Sequence, residues 1–205
     1  MPFINSLTKD FEPKLSIEEG TQLEIMYKLK LVGLVITSSL TWHDHIAYTV
    51  KRVNGVIWQL LRFKNIGAPR EKLITFYTLK IRSILMFGSV CFHSSLSLEL
   101  SHKLELQQKR SLAVILGSQY KSYSSALSLT SLPRLDALRE EACLKWALKA
   151  QKNPLHTDLF PLAQKNSVTR SKDKFSEYKF KSHRFYKSAV PYRTRALNIY
   201  YQSQS

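Results

Sequence analysis

The sequence predicts a mainly α-helical protein. A short β element lies near the N-terminus, a multi-helix bundle follows it, and a basic, weakly ordered tail ends the chain. Apolar residues recur at helical spacing in several segments between residues 43 and 153. Residues 25–36 instead alternate and then run apolar, as strands do. Beyond Pro154 the aliphatic periodicity is lost, and basic and aromatic side chains interleave.

The β element is predicted within the N-terminal segment, residues 1–42. Its first part alternates basic and apolar residues, in the order Lys28, Leu29, Lys30 and Leu31. An apolar run follows and extends to Ile36. Gly33 inside this run favours a bulge or a close approach of the backbone to another group.

The helical domain is predicted over residues 43–153. Its first helix has Thr41 as N-cap and ends at Gly67-Ala68-Pro69. The core-facing stripe of this helix comprises Ile46, Val50, Val53, Ile57, Leu60 and Leu61. Four cations lie off that stripe, namely Lys51, Arg52, Arg62 and Lys64. We interpret Trp42, Trp58 and Trp146 as core residues, and Cys91 and Cys143 as buried free thiols.

Further helices follow in order. Pro69 suits the first turn of a second helix, which carries Arg82 and buries Leu73, Tyr77, Ile81, Ile84 and Leu85. Ser97 and Gly117 bound a third helix, whose outer face is predicted to present Lys103, Gln107 and Arg110, with Lys109 beside them. A short helix over 122–130 precedes one over 134–152. The inward stripe of this last helix is predicted to be Leu135, Leu138, Ala142, Trp146 and Ala150.

Charge and composition restrict the functional class. The 205 residues carry a net charge of +16, which indicates a polyanionic partner. Residues 1–68 hold 8 basic and 6 acidic residues, whereas the tail, 154–205, holds 10 and 3. No apolar run is long enough for a membrane span, and the first residues lack the pattern of a signal peptide. We therefore expect a soluble intracellular protein, nuclear or cytoplasmic, without a membrane partner.

Catalytic and metal-binding motifs are not evident. None of the five aspartates is adjacent to another, although a two-metal site needs clustered carboxylates. Phosphate-binding glycine loops and G-x-S-x-G are absent from the sequence. His43-Asp44-His45 is interpreted as an exposed helix start, and the His-x-Asp at His156 as a chance match to an iron site. No cofactor or metal is expected.

The basic helical faces and the tail favour a phosphate-binding surface over solvated charge alone. The aromatic residues of the tail could stack on unpaired bases. This reasoning is compositional, and a helical module whose charge only keeps it soluble remains an alternative.

Several blocks of the sequence resemble the reverse transcriptases of non-LTR (LINE-type) retrotransposons, in the family's order. The text KLKLVGLVI at 28–36 and LTWHDHI at 40–46 is similar to the family's K-L-L-G-x-x-I and L-x-W-x-x-x-I. IRSIL at 81–85, HSSL at 93–96 and QQKRSLAVILG at 107–117 resemble its I-R-S-I-L-E, W-H-S-x-L and V-Q-K-x-A-L-x-I-I-L-G. REEACLK at 139–145 and RFYKSAVPY at 184–192 follow. Phe92 and Met86 depart from the family's tryptophan and acidic residue.

The resemblance covers residues 24–201 and implies a thumb-like helical domain preceded by a primer-grip hairpin. It implies binding to RNA and to RNA/DNA duplexes. The family's catalytic Asp-Asp motif is not in this sequence, so we expect a C-terminal fragment that is not itself an enzyme and whose missing palm domain is a partner. An accessory module of an oxygenase or methyltransferase, suggested only by His156-x-Asp158, is the remote alternative. The candidate nucleic-acid-binding residues are Lys28, Lys30, Gly33, Lys51, Arg52, Arg62, Lys64, Arg82, Lys103, Lys109, Arg110, Lys179, Lys181 and Arg184.

Overall fold

A computed structural model of the chain describes residues 26–163, 173–180 and 182–204, and it is mainly helical, as predicted. The first 25 residues of the predicted N-terminal segment lie outside the described part. Strands β1 (Lys28–Leu31) and β2 (Leu34–Thr37) come first. The helices are α1 (His43–Asn65), α2 (Arg70–Phe76), α3 (Ser83–Met86), α4 (Ser89–Phe92), α5 (Leu98–Leu116), α6 (Tyr123–Thr130), α7 (Leu135–Ala150), α8 (His183–Tyr186) and α9 (Ala189–Gln202).

The predicted β element is a hairpin. Strands β1 and β2 pair antiparallel, from Lys28 opposite Thr37 to Leu31 opposite Leu34. Val32 and Gly33 form the two-residue turn, with φ of 47° and 86°. Positive φ at both turn positions matches the twist of paired strands, which explains the glycine here. Gly33 therefore belongs to a tight turn and not to a bulge, whereas the close approach of its backbone to another group, also suggested by the sequence, is present at Phe87.

Gly33 and Gly88 lie where the hairpin packs against the helices. A Cβ atom at Gly33 would lie 3.0 Å from the Phe87 ring, and one at Gly88 would lie 2.6 Å from the Leu34 side chain. Gly88 also has a φ of 66°, between α3 and α4. Because neither position has room for a side chain, the turn of the hairpin can seat closely on the α3–α4 junction.

The main core lies between α1, α5 and the helical stretch 70–86. Ile46, Val53 and Leu60 of α1 are fully buried, as are Leu104 and Leu112 of α5. The Ser97 hydroxyl accepts a hydrogen bond from the Leu100 amide, and Gly117 ends α5 with a φ of 58°, as predicted. Helix α1 starts at His43, and Trp42 occupies the N-cap position without a side-chain cap. Thr41, the predicted N-cap, does not cap the helix, because its hydroxyl contacts Ser39 Oγ at 3.0 Å.

A π-helical segment, Tyr77–Arg82, joins α2 to α3. The Tyr77 hydroxyl donates to Gln108 Oε1 at 2.8 Å, and Gln108 Nε2 donates to the Pro133 carbonyl at the same distance. These buried bonds tie the π segment to α5 and to the start of α7. Periodicity alone did not predict the change of helix type, because the buried side chains continue through it.

The stretch 70–95 is the one described helical stretch long and apolar enough to cross a membrane by length and composition alone. Its residues Leu73, Ile81 and Phe92 are buried in the main core. Only 28% of the most apolar window of this stretch is buried, and one such helix is weak evidence for a membrane span, so the chain is consistent with a soluble protein.

Part of the tail is ordered, which corrects the expectation of weak order for residues 189–202. Helix α9 packs on α7 and encloses a second core of Ala147, Ala150, Phe160, Phe175 and Leu197. The Asn198 side chain accepts from the Phe175 amide at 2.9 Å and donates to its carbonyl at 3.0 Å. The buried face of α9 also holds Arg193, Thr194 and Asn198. Because three of its buried positions are polar, the aliphatic stripe that a sequence pattern detects is absent.

Helix α7 buries Leu135, Arg139, Cys143, Ala147 and Ala150, a stripe rotated from the predicted one. Arg139 is fully buried, and its Nη2 donates to Ser101 Oγ at 2.7 Å. Its Nε donates to Nδ1 of His93 at 3.4 Å. The other ring nitrogen of His93 lies 3.3 Å from the Tyr192 hydroxyl. Burial and the Arg139 charge lower the pKa of His93 to about 4, so its ring is neutral and accepts from the guanidinium.

Candidate nucleic-acid interface

The solvent-facing side of α1 is strongly basic. This 23-residue helix buries one stripe and leaves Lys51, Arg52 and Arg62 exposed. Its one acidic residue is Asp44 in the first turn, whose carboxylate lies 2.8 Å from Lys28 Nζ. Between Asp44 and Glu71 the sequence contains no other acidic residue. The positive charge of this face is therefore not neutralised along the helix, and it creates a field that attracts anions.

Aromatic residues alternate with these cations. Lys30 Nζ donates to the Tyr48 hydroxyl at 2.8 Å and lies 4.6 Å from the ring centroid. The Arg52 guanidinium lies 5.6 Å from the same centroid. The hydrogen bond from Lys30 and the two positive charges lower the pKa of Tyr48. The hairpin thus extends the basic face of α1 through Lys30.

Trp58 does not lie in the core, which corrects the interpretation drawn from the sequence. Its side chain is 63% exposed, and the Arg62 guanidinium lies 5.5 Å from its ring centroid. Trp58 follows the buried Ile57 by one position, so the helix turns it away from the stripe. Trp42 and Trp146, also predicted as core residues, are half-buried and pack against the edges of the two cores.

A groove of about 520 Å³ lies on the surface where α1 and α5 pack together. Its walls are His43, Ile46, Ala47, Val50, Lys51, Asn54, Leu100, Lys103, Leu106 and Gln107. Lys51 of α1 lines one side of the groove, and Lys103 of α5 lines the other. The Lys103 Nζ atom lies 2.6 Å from the Glu99 carboxylate. Arg110 Nη1 donates to Asn54 Oδ1 at 3.0 Å, which places a further cation beside the groove.

The predicted outer face of α5 is corrected in one respect, because Gln107 is buried. This face of α5 packs against α1, which buries Gln107, whereas Lys103 and Arg110 on either side of it remain exposed. We call the exposed cations of both helices the α1–α5 surface. Its members are Lys51, Arg52, Arg62, Lys103 and Arg110.

Three predicted ligand-binding cations pack against the protein instead of joining the α1–α5 surface. Lys64 Nζ donates to the Val114 carbonyl, near the end of α5. Lys109 is half-buried and lies 5.1 Å from the Tyr123 ring centroid. Arg82 is half-buried within the π segment. Their positions favour structural roles over contact with a bound polymer.

The remaining predicted residues lie around the hairpin and in the tail. Lys28 is paired with Asp44, and Gly33 faces the Phe87 ring. Arg184 Nη2 donates to the Ser39 carbonyl at 2.6 Å, so the start of α8 lies beside the end of the hairpin. Lys179 is exposed. Lys181 lies outside the described residues.

The histidine motifs do not form a metal site within the described residues. No group of three or more His, Cys, Asp or Glu side chains is placed there to hold an ion. His45 is buried, which lowers its pKa, and its Nδ1 accepts from the Val35 amide at 3.4 Å. This burial corrects the interpretation of His43-Asp44-His45 as wholly exposed. His156 packs beside Trp146, with ring centroids 6.0 Å apart.

The two cysteines differ. Cys143 is buried, as predicted, and burial raises the pKa of its thiol. Cys91 is exposed, which corrects the expectation that both are buried. It lies in the four-residue helix α4, where its neighbour Phe92 takes the inward position.

Comparison of the chain with protein-family models, curated proteins and solved structures found no match. The site therefore rests on its own geometry. Sequence reasoning missed Trp58 as a surface residue, although its offset by one position from the apolar stripe was a usable signal.

Proposed function

We propose that this chain binds template–primer nucleic acid, RNA and RNA/DNA duplexes, as the thumb-like part of a LINE-type reverse transcriptase. The α1–α5 surface would contact phosphates, which position a nucleic acid without reading its sequence. In this proposal the chain contributes binding and no chemistry, since it carries no adjacent aspartates for a two-metal site. The compartment that fits is intracellular, nuclear or cytoplasmic.

The observation that carries the proposal is the charge distribution of α1 and α5. Three exposed cations of α1 lie along a helix that has no acid beyond its first turn. On α5, Lys103 lines the groove and is paired with Glu99, and Arg110 bonds to Asn54 beside the groove. A solvated face that serves only solubility usually mixes both signs of charge along its length. The face of α1 carries one sign of charge beyond its first turn and has aromatic rings among its cations, which is typical of nucleic-acid binding.

The hairpin supports a protein partner beside the nucleic acid. All four residues of β1 are exposed, including Leu29 and Leu31, and Val32 in the turn is 83% exposed. Exposed apolar side chains on a short edge strand are a surface suited to contact with another domain. We propose that the palm domain of the polymerase covers it.

The tail supports the resemblance through two contacts at His93. His93, Arg139 and Tyr192 belong to three blocks of the sequence that resemble the family, and the His93 ring contacts both Arg139 and Tyr192. Blocks spaced along a chain are expected to contact one another when they belong to a single fold.

A salt titration of binding tests the proposal. If the five cations of the α1–α5 surface each neutralise one phosphate, the affinity for a duplex should fall about 500-fold between 50 and 200 mM salt. Fluorescence anisotropy with a labelled RNA/DNA duplex measures it. An affinity that barely changes over this range would overturn phosphate-led binding and would favour the alternative, a helical interaction module without a nucleic-acid role.

A further inference from the structure

Trp58 presents an aromatic surface to solvent in the middle of the basic face of α1. The Arg62 guanidinium lies on the ring at 5.5 Å from its centroid. Arg62 also lines a hollow of about 330 Å³ with Gln59, Phe63 and Ile66. An exposed aromatic ring with a guanidinium beside it offers a stacking surface and a positive charge together, which suits a ligand that is both planar and anionic.

Gly55 lies one helical turn before Trp58 and leaves space beside it. A Cβ atom at this position would meet no atom within 4 Å. Positions three apart on a helix lie on the same face, so Gly55 and Trp58 are neighbours on the exposed side of α1. A glycine within an exposed helix destabilises it relative to alanine, by about 1 kcal/mol. Here the glycine removes a side chain at the place where a ligand could approach both the ring and the backbone.

We propose that Trp58 and Gly55 form a stacking subsite for one unpaired nucleotide. Its base lies on the Trp58 ring, and its phosphate contacts Arg62. This inference rests on the proposed function and adds to it a single-stranded ligand, in contrast to the duplex that phosphate contacts alone would hold. A protein partner on this face would need carboxylates to match the cations, whereas a nucleotide supplies the ring and the charge together.

Two substitutions at Trp58 separate stacking from apolar contact. Trp58→Leu keeps an apolar side chain without an aromatic face, and Trp58→Tyr keeps an aromatic face. Because position 58 is exposed, both substitutions should leave folding intact, and a melting curve followed by circular dichroism checks this. The ligands are a labelled 12-nucleotide RNA and an abasic strand of the same length, which carries the same phosphates without bases.

Trp58→Leu should weaken binding of the RNA by about 5- to 100-fold, the range for one stacked base. It should leave the affinity for the abasic strand and the salt dependence of binding unchanged, and Trp58→Tyr should restore most of the loss. Equal weakening of both strands, or no effect on either, would overturn the stacking subsite. Phosphate-led binding would survive those results, since it fails only if the unmodified chain shows no salt-dependent binding.

Gly55→Gln provides a second, independent test. Glutamine favours helix over glycine, so the variant should melt at a higher temperature, while its side chain occupies the space beside Trp58. Its affinity for the RNA should fall at least fivefold, and Ala137→Gln on the exposed side of α7 should leave the affinity unchanged. A stabilised Gly55→Gln variant with full affinity would show that the space is not used.

Discussion

Replacing three cations of the α1–α5 surface should produce a defined change in the salt dependence of binding. Lys51, Arg52 and Arg62 are exposed on α1, so glutamine at each position removes charge without opening the core. Each phosphate contact contributes about 0.9 to the slope of log affinity against log salt. Loss of three contacts out of five should therefore lower the slope from about 4.5 to about 1.8.

These two slopes also determine how much the affinity of each protein should change with salt. Between 50 and 200 mM salt the unmodified chain should weaken about 500-fold, and the triple variant only about tenfold. At 100 mM salt the variant should bind about 500-fold less tightly than the unmodified chain, because each lost contact costs nearly one decade there. Fluorescence anisotropy with a labelled RNA/DNA duplex, measured at four salt concentrations, gives both quantities.

A matched variant removes the same net charge elsewhere. Lys145, Lys149 and Lys152 are exposed on α7 and just after it, and their replacement by glutamine should leave the slope near its original value. If both triple variants lose the same slope, the affinity depends on total charge and not on the α1–α5 surface. If neither changes it, the phosphate contacts lie on other residues, and the assignment of this surface is refuted.

Three further predictions concern the fold. Gly33→Ala should lower the free energy of unfolding by about 1–3 kcal/mol. The loss should exceed that of Gly67→Ala, because Gly67 shares the positive φ but has open space around it. Urea denaturation of the two variants measures the difference. Leu104→Ala should cost about 2–5 kcal/mol, whereas the exposed Leu98→Ala should stay within about 0.5 kcal/mol. The unfolded chain protonates His93 at its ordinary pKa and the folded chain only near 4, so the free energy of unfolding should fall by about 1–2 kcal/mol between pH 7 and 4. His93→Gln should reduce that fall.

Sequence patterns predicted the helices that bury aliphatic side chains. The stripe of α1 and the Ser97 and Gly117 boundaries of α5 follow from side-chain spacing and local hydrogen bonding, and both are present, except that Leu61 of the predicted stripe is exposed. Helix α9 was not predicted, because polar residues such as Thr194 and Asn198 occupy its buried face. Their burial depends on partners far along the chain, here the backbone of Phe175, which no local pattern encodes.

The candidate site was predictable in its charges but not in their arrangement. Lys51 and Lys64 both lie off the apolar stripe of α1, yet Lys51 is exposed and Lys64 bonds to the Val114 carbonyl. The difference arises from where α5 crosses α1, a tertiary property. A sequence can therefore predict that a helix is basic, whereas which of its cations remain free for a ligand depends on the packing of its neighbours.

Helix α1 departs from the composition that would best stabilise it, and the departures share one face. It carries an exposed Trp58, a glycine at position 55 in its exposed middle, and exposed cations without acids one turn away. Each feature lowers stability or solubility in isolation, through apolar exposure, helix propensity or charge repulsion. On the buried side of the same helix, Ile46, Val53 and Leu60 follow the helical rule without exception. Where local rules fail on one face and hold on the other, the failing face is expected to have a function, and the ligand that we propose for it, an unpaired stretch of nucleic acid, matches its exposed aromatic ring and its cations.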